Sequence, residues 1–210
     1  MKLKSVIFGF CAALLCLGLS GCKWGNDDDK KTEPGPAPSG YEITVYNDGV
    51  AKKAEADSYT ADDDVLSYHL KTKDSTGNDN GKAQGAWVVK HNAWKAAASE
   101  KRYQVTLYNG KKAVGTWTVR SFSTDSRSVL LFPSDGSEVL RVSGDVVITA
   151  LAGGSKAEAT SVVTVYNGES PVYKVPVSSY IVIGHYLQGE AADGSGAVFI
   201  WGNYKVENTK

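Results

Sequence analysis

This chain is poor in cysteine, histidine, proline and methionine, and each shortage removes a class of explanation. Its 210 residues include three cysteines, Cys11, Cys16 and Cys22. Residues 23–210 therefore carry no disulfide among themselves and no thiolate nucleophile, and need an ordinary hydrophobic core. The three histidines, His69, His91 and His185, are not spaced as a local metal pair. No G-x-S-x-G elbow, H-E-x-x-H pair or phosphate loop is present. Charge of one sign is lacking too: 23 basic side chains face 23 acidic ones, or 21 against 23 once Lys2 and Lys4 are set aside. That is not the footprint of a nucleic-acid binder.

Long hydrophobic runs are limited to one, the fourteen residues Val6–Leu19. It fits a signal peptide and is short of the ~20 residues of a spanning helix. Lys2 and Lys4 precede it, and Leu19-Ser20-Gly21-Cys22 follows. This arrangement resembles the lipobox of bacterial lipoproteins. The resemblance implies cleavage between Gly21 and Cys22 and a diacylglyceryl group on the Cys22 sulfur, the only cofactor-like group expected. At about 0.8 kcal/mol per buried methylene, two or three acyl chains hold a protein durably on a membrane. Lys23 follows the cysteine, which by resemblance to enterobacterial sorting favours the outer membrane in a cell that has one. Asp27-Asp28-Asp29 resembles the surface-export signal of some Bacteroidota lipoproteins, although it begins five residues after Cys22, later than that pattern prefers.

Residues 23–40, KWGNDDDKKTEPGPAPSG, are polar and rich in proline and glycine, and cannot bury enough surface to fold. They read as a tether reaching about 24 Å on average. Residues 41–210 are expected as one domain, and its texture is β. Tyr103–Tyr108 alternates apolar and polar residues, Asn109-Gly110 suggests a two-residue type I′ turn, and the alternation resumes. Ser161–Ser179 says the same with Asn167-Gly168, while Asn47-Asp48-Gly49 adds a residue and suggests a bulged turn. Pro171 and Pro176 place the strand carrying them at an edge, because proline donates no ladder bond. Alanine-rich His91–Arg102 and the ADDDVLSYHLK stretch near Asp62 are candidates for short helices.

The hairpins share more than grammar. Val105–Ser121 laid on Val163–Ser179 without a gap gives eight identities in seventeen, and Tyr46, Tyr108 and Tyr166 stand 62 and 58 residues apart. A second landmark, GAWVVKHNAWK at Gly85–Lys95, parallels GAVFIWGNYK at Gly196–Lys205, with SGDVVITAL at Ser143–Leu151 as a weaker third. A threefold internal repeat follows, with units near 41–102, 103–160 and 161–210, each of four strands. The expected fold is an all-β, single antiparallel β-barrel or β-sandwich of hairpins, with a β-trefoil or β-prism as alternatives.

Candidate chemistry is sparse. Asp74–Gly81, DSTGNDNG, fails the calcium-loop register, which would put Trp87 where a glutamate belongs. His69 and His185 sit in similar third-strand contexts, better explained by shared ancestry than by a metal. Trp87, Trp94, Trp201 and Tyr204 remain as candidate binding residues, since aromatics on β scaffolds stack on sugars or anchor protein partners. Trp94 and Tyr204 occupy matching places after Asn92 and Asn203. The Thr/Tyr face of the hairpins, Thr44/Tyr46, Thr106/Tyr108 and Thr164/Tyr166, reads as a half-exposed strand face. The expectation is a non-catalytic, lipid-anchored envelope protein binding a glycan or a surface protein. The alternatives are a structural envelope component without a soluble ligand, and a hydrolase whose site is not visible in sequence.

Overall fold

The computed structural model describes residues 40–62, 64–125 and 127–209. Gly21, Cys22 and the tether up to residue 39 lie outside the described residues. The chain forms β1 (Tyr41–Asn47), β2 (Val50–Asp62), β3 (Val65–Leu70), β4 (Asn80–Gln84) and β5 (Trp87–Lys95). A second set follows: β6 (Tyr103–Asn109), β7 (Lys112–Asp125), β8 (Ser128–Pro133), β9 (Glu138–Ser143) and β10 (Asp145–Ala150). The last five are β11 (Ser161–Asn167), β12 (Ser170–Ile183), β13 (Tyr186–Ala191), β14 (Ala197–Trp201) and β15 (Asn203–Asn208). No helix occurs among the described residues.

All fifteen strands join one antiparallel sheet in the order β15-β11-β12-β13-β14-β10-β6-β7-β8-β9-β5-β1-β2-β3-β4. Each block of five places its last strand before its first. That last strand also joins the fourth strand of the following block: β5 pairs with β9, and β10 with β14. The sheet does not close into a barrel, because closure would need β4 to pair with β15 and those are its two ends. Nor is it divided into the separate sheets of a prism.

The long strands β2, β7 and β12 each change partner part-way. Their first halves pair with β1, β6 and β11, their second halves with β3, β8 and β13. The switch falls on a bulge after Ala56, Val119 and Val177, all fully buried. Such a bulge kinks a strand and turns a sheet through a corner. It also explains the prolines. β12 is interior in strand order, against the edge expectation, but Pro171 and Pro176 lie in the half that pairs with β11 alone. Pro171 in addition adjoins a register shift at Val165/Tyr166.

The hairpin turns reverse the expectation. Asp48 and Gly49 both have positive φ, 48° and 77°, in a two-residue turn without a bulge. Gly110 and Gly168 are instead the first central residues of their turns, at φ 61° and 60°, the type II′ pattern. A register shift nearby leaves Val114 and Val172 as extra residues. The expected helices are absent too. His91–Lys95 continues β5, and beyond it the Ala96 and Ser99 amides donate to the Ser137 and Ser134 carbonyls, at 2.9 Å each. Pairing to the neighbouring block outweighs alanine's helical preference. Near Asp62 the chain ends β2 and turns into β3.

Each block has its own core. Ile43, Leu66, Trp87 and Val89 centre the first; Val105, Leu107, Val129 and Leu131 the second; Val163, Val165, Leu187 and Ile200 the third. The clusters borrow across blocks: Tyr46 packs on the second core and Tyr108 on the third. The Thr/Tyr face is therefore not a solvent face. Thr44 and Thr164 are buried, Tyr46 and Tyr108 reach into the next block, and Thr106 and Tyr166 are half-buried. Asparagine reaches the other way. Asn109 Oδ1 accepts from the Gly49 amide at 2.6 Å, and Asn167 Nδ2 donates to Asp145 Oδ2 at 2.7 Å.

Candidate functional site

The four aromatic candidates separate sharply. Trp87 and Trp201 are buried core residues, so neither is a platform. Trp87 donates its indole N–H to the Asp64 carbonyl at 3.0 Å, whereas the buried Trp201 Nε1 has no partner. Tyr204 is half-buried against the third core. Trp94 is 46% exposed, next to last in a chain of edge-on rings that runs Tyr59, Tyr41, His91, Trp94, Phe132. Tyr41, His91 and Trp94 line a shallow cleft of about 350 Å³. His91 accepts or donates one bond with the Tyr59 hydroxyl at 3.0 Å, and burial, with the Arg141 charge behind it, lowers its pKa.

Register corrects the match between Trp94 and Tyr204. Trp87 stands opposite Val45, Val146 opposite Leu107, and Tyr204 opposite Val165. Each follows a left-handed glycine, Gly85, Gly144 or Gly202, and one further residue. Tyr204 thus corresponds to Trp87, and the segments GAWVV, GDVVI and GNYKV are the ones in phase. Gly196-Ala197, used in the sequence comparison, opens the fourth strand β14 instead. The histidines do not correspond either: His69 lies within β3, His185 in the turn before β13.

The three glycine turns meet at a cleft of about 440 Å³. Asp64, Arg127 and His185 come to it from the β2–β3, β7–β8 and β12–β13 turns, together with Asp145 and Trp201. Asp145 accepts from the Asn203 amide at 3.0 Å and from Asn167. Burial outweighs both bonds and raises its pKa. The residues that tie Asp145 belong to the third block, so its first duty is to join two blocks. Among the described residues no group of three His, Cys, Asp or Glu is arranged to hold a metal.

The most distinctive surface lies elsewhere. Tyr180, Ile181, Val182 and Ile183 end β12 and are 38%, 57%, 56% and 41% exposed. Four consecutive exposed residues occupy both faces of the strand, so this end of β12 is uncovered, while its partner β13 packs on the core through Tyr186 and Leu187. Contiguous exposed apolar patches of this kind are uncommon on monomeric proteins. Sequence reasoning did not single it out. The signal was available: YIVI lacks the alternation of a half-buried strand, while the matching stretches are Tyr59-Thr60-Ala61-Asp62 and Phe122-Ser123-Thr124-Asp125. A further device was missed. Asp74, Asp135 and Asp193 each accept from the amide two residues on, at Thr76, Ser137 and Ser195, shaping the loops between third and fourth strands. In the first loop this Asx turn accounts for DSTGNDNG without a cation.

Comparison with protein-family models, curated proteins and solved structures gives no match.

Proposed function

We propose that this chain is a non-catalytic lipoprotein of the cell envelope, anchored through Cys22, whose β-domain presents a binding surface for a protein partner. The domain is read as three copies of one five-strand module, produced by internal duplication. Support comes from the common strand order, the bulge shared by β2, β7 and β12, and the glycine turn before each fifth strand. The observation that carries the binding reading is the exposed Tyr180–Ile183 run on the last module. Protein interfaces are built around such aromatic and aliphatic anchors. Replacing Ile181 and Val182 by aspartate should leave the fold intact and abolish partner capture from whole cells by proximity cross-linking. Unchanged capture would refute it. The anchor has its own test: Cys22→Ser should move the protein out of the membrane fraction, and unchanged partitioning would refute lipidation.

A glycan-binding reading keeps one supporting observation, the exposed Trp94 on its shallow cleft beside Tyr41 and His91. It predicts a shift in tryptophan emission on titration with envelope oligosaccharides, lost in Trp94→Ala.

A further inference from the structure

We propose that copies of this chain assemble head to tail, the free edge of β15 in one copy pairing antiparallel with the free edge of β4 in the next. The inference rests on the three-module reading above and names the partner as a second copy.

The chain already makes this joint twice. The fifth strand of one block pairs with the fourth strand of the following block, β5 with β9 and β10 with β14. The register is the same at both. Trp87 faces Ser143 and Val89 faces Arg141; Val146 faces Trp201 and Ile148 faces Phe199. Among the described residues, the two strands left without an outer partner are one fifth strand, β15, and one fourth strand, β4. They are the two halves of a third such joint. Carried over by position, Tyr204 would face Gln84, Lys205 would face Ala83, and Val206 would face Lys82.

Cover for the apolar hairpin follows from the same geometry. Tyr59, Phe122 and Tyr180 hold the same place, one step beyond the bulge in β2, β7 and β12. Phe122 lies 5.1 Å from Phe199, on the fourth strand of the following block. Tyr59 lies beside Arg141, the counterpart of Phe199. Tyr180 is exposed, with no such fourth strand beside it among the described residues. In a second copy the counterpart residue is Lys82, a cation able to sit over the Tyr180 ring. Backbone pairing supplies affinity in strand addition, and the ring contact supplies register. Because the joint is heterologous, the same step applied again gives an open chain of copies rather than a closed pair.

The test uses the full chain with Cys11, Cys16 and Cys22 replaced by serine and the register pair Lys82→Cys and Val206→Cys introduced. Directly opposed strand residues lie within disulfide reach. Mild oxidation should give a ladder of dimers, trimers and higher species. The ladder should be absent in Lys82→Cys with Glu207→Cys, where a one-residue slip puts the thiols on opposite faces. Mixing the two single-cysteine chains should give dimers only. A disulfide confined within single chains would overturn the proposal, as would no cross-link at all. Neither result would touch the binding reading, whose readout is cellular capture through Ile181 and Val182.

Discussion

The β7–β8 and β12–β13 hairpins have the same connectivity and the same bulge, and differ in what covers them. Phe122 of the first packs edge-on against Tyr103 and Phe199, each at 5.1 Å, and against Trp201 at 5.9 Å. Tyr180 holds the corresponding place in the second and is exposed. The tips differ in kind as well: Ser123-Thr124-Asp125 against Ile181-Val182-Ile183. A covered hairpin needs only a polar tip, since its neighbour completes its core. The uncovered one carries the apolar surface that a neighbour would bury. In a modular sheet each unit depends on the next, so the last unit either carries a polar cap or offers an interface. Among the described residues, the tip of its long hairpin is apolar and exposed, Ile181-Val182-Ile183.

The comparison breaks most readily at Trp201, which links the two hairpins by stacking on Tyr186 at 4.8 Å and meeting Phe122. Trp201→Ala should cost about 3–5 kcal/mol in urea unfolding and open the β7–β8 hairpin to hydrogen exchange. The milder Trp87→Phe should cost more than Trp201→Phe, because only Trp87 makes an indole hydrogen bond. Gly202→Ala comes next. At φ 99° its new Cβ would meet the Asp145 Cα at 2.8 Å, so a loss of about 3 kcal/mol is expected in the same measurement. Gly184→Ala, at φ 55° in open space, should lose only about 1 kcal/mol. Phe122→Ala should then cost about 2 kcal/mol against less than about 1 kcal/mol for Tyr180→Ala, a difference made by cover alone.

The smallest effect concerns pH. Burial raises the Asp145 pKa above 3.8, so the folded state holds this proton more tightly than the unfolded state does. Its contribution favours folding at low pH and declines as pH climbs from 3.8 through the raised folded value. Asp145→Asn should remove that decline, with Asn203 still bonded and the Asn167 amide turned over. The check is the difference between the two stability–pH curves, since exposed Asp135 and Asp193, lowered by their serine bonds, act in the opposite direction in both proteins.

Sequence patterning made the hairpins legible, because alternation and turn glycines are local signals. Val105 and Leu107 are buried as the alternation of Tyr103–Tyr108 requires. The short fourth strands were harder to see. Asn80–Gln84 is polar and Glu138–Ser143 brief, and their partners lie far along the chain, which is why twelve strands were expected and fifteen are present. The role of Thr-Val/Leu-Tyr-Asn was hidden for the same reason. Tyr46, Tyr108, Asn109 and Asn167 contact neighbouring blocks, and a single hairpin does not display what it touches beyond itself. At the candidate site, Trp87 and Trp201 were picked out by residue type, while burial, which decides between core and platform, is a property of the whole sheet. The Tyr180–Ile183 surface was written in the sequence as four consecutive apolar residues, but it becomes an anomaly only beside its two polar counterparts.

The central claim is that Tyr180–Ile183, exposed among the described residues, takes a neighbour of the kind that covers Phe122. It is tested most directly by supplying one: the full chain followed by a second copy of the 151–160 connection and of residues 41–208. Measured in dilute solution, where copies do not meet, the fused protein should unfold in one transition with a melting temperature ~4 °C or more above that of the single chain, since one internal joint has been added. An unchanged melting temperature, or two independent transitions, would contradict it.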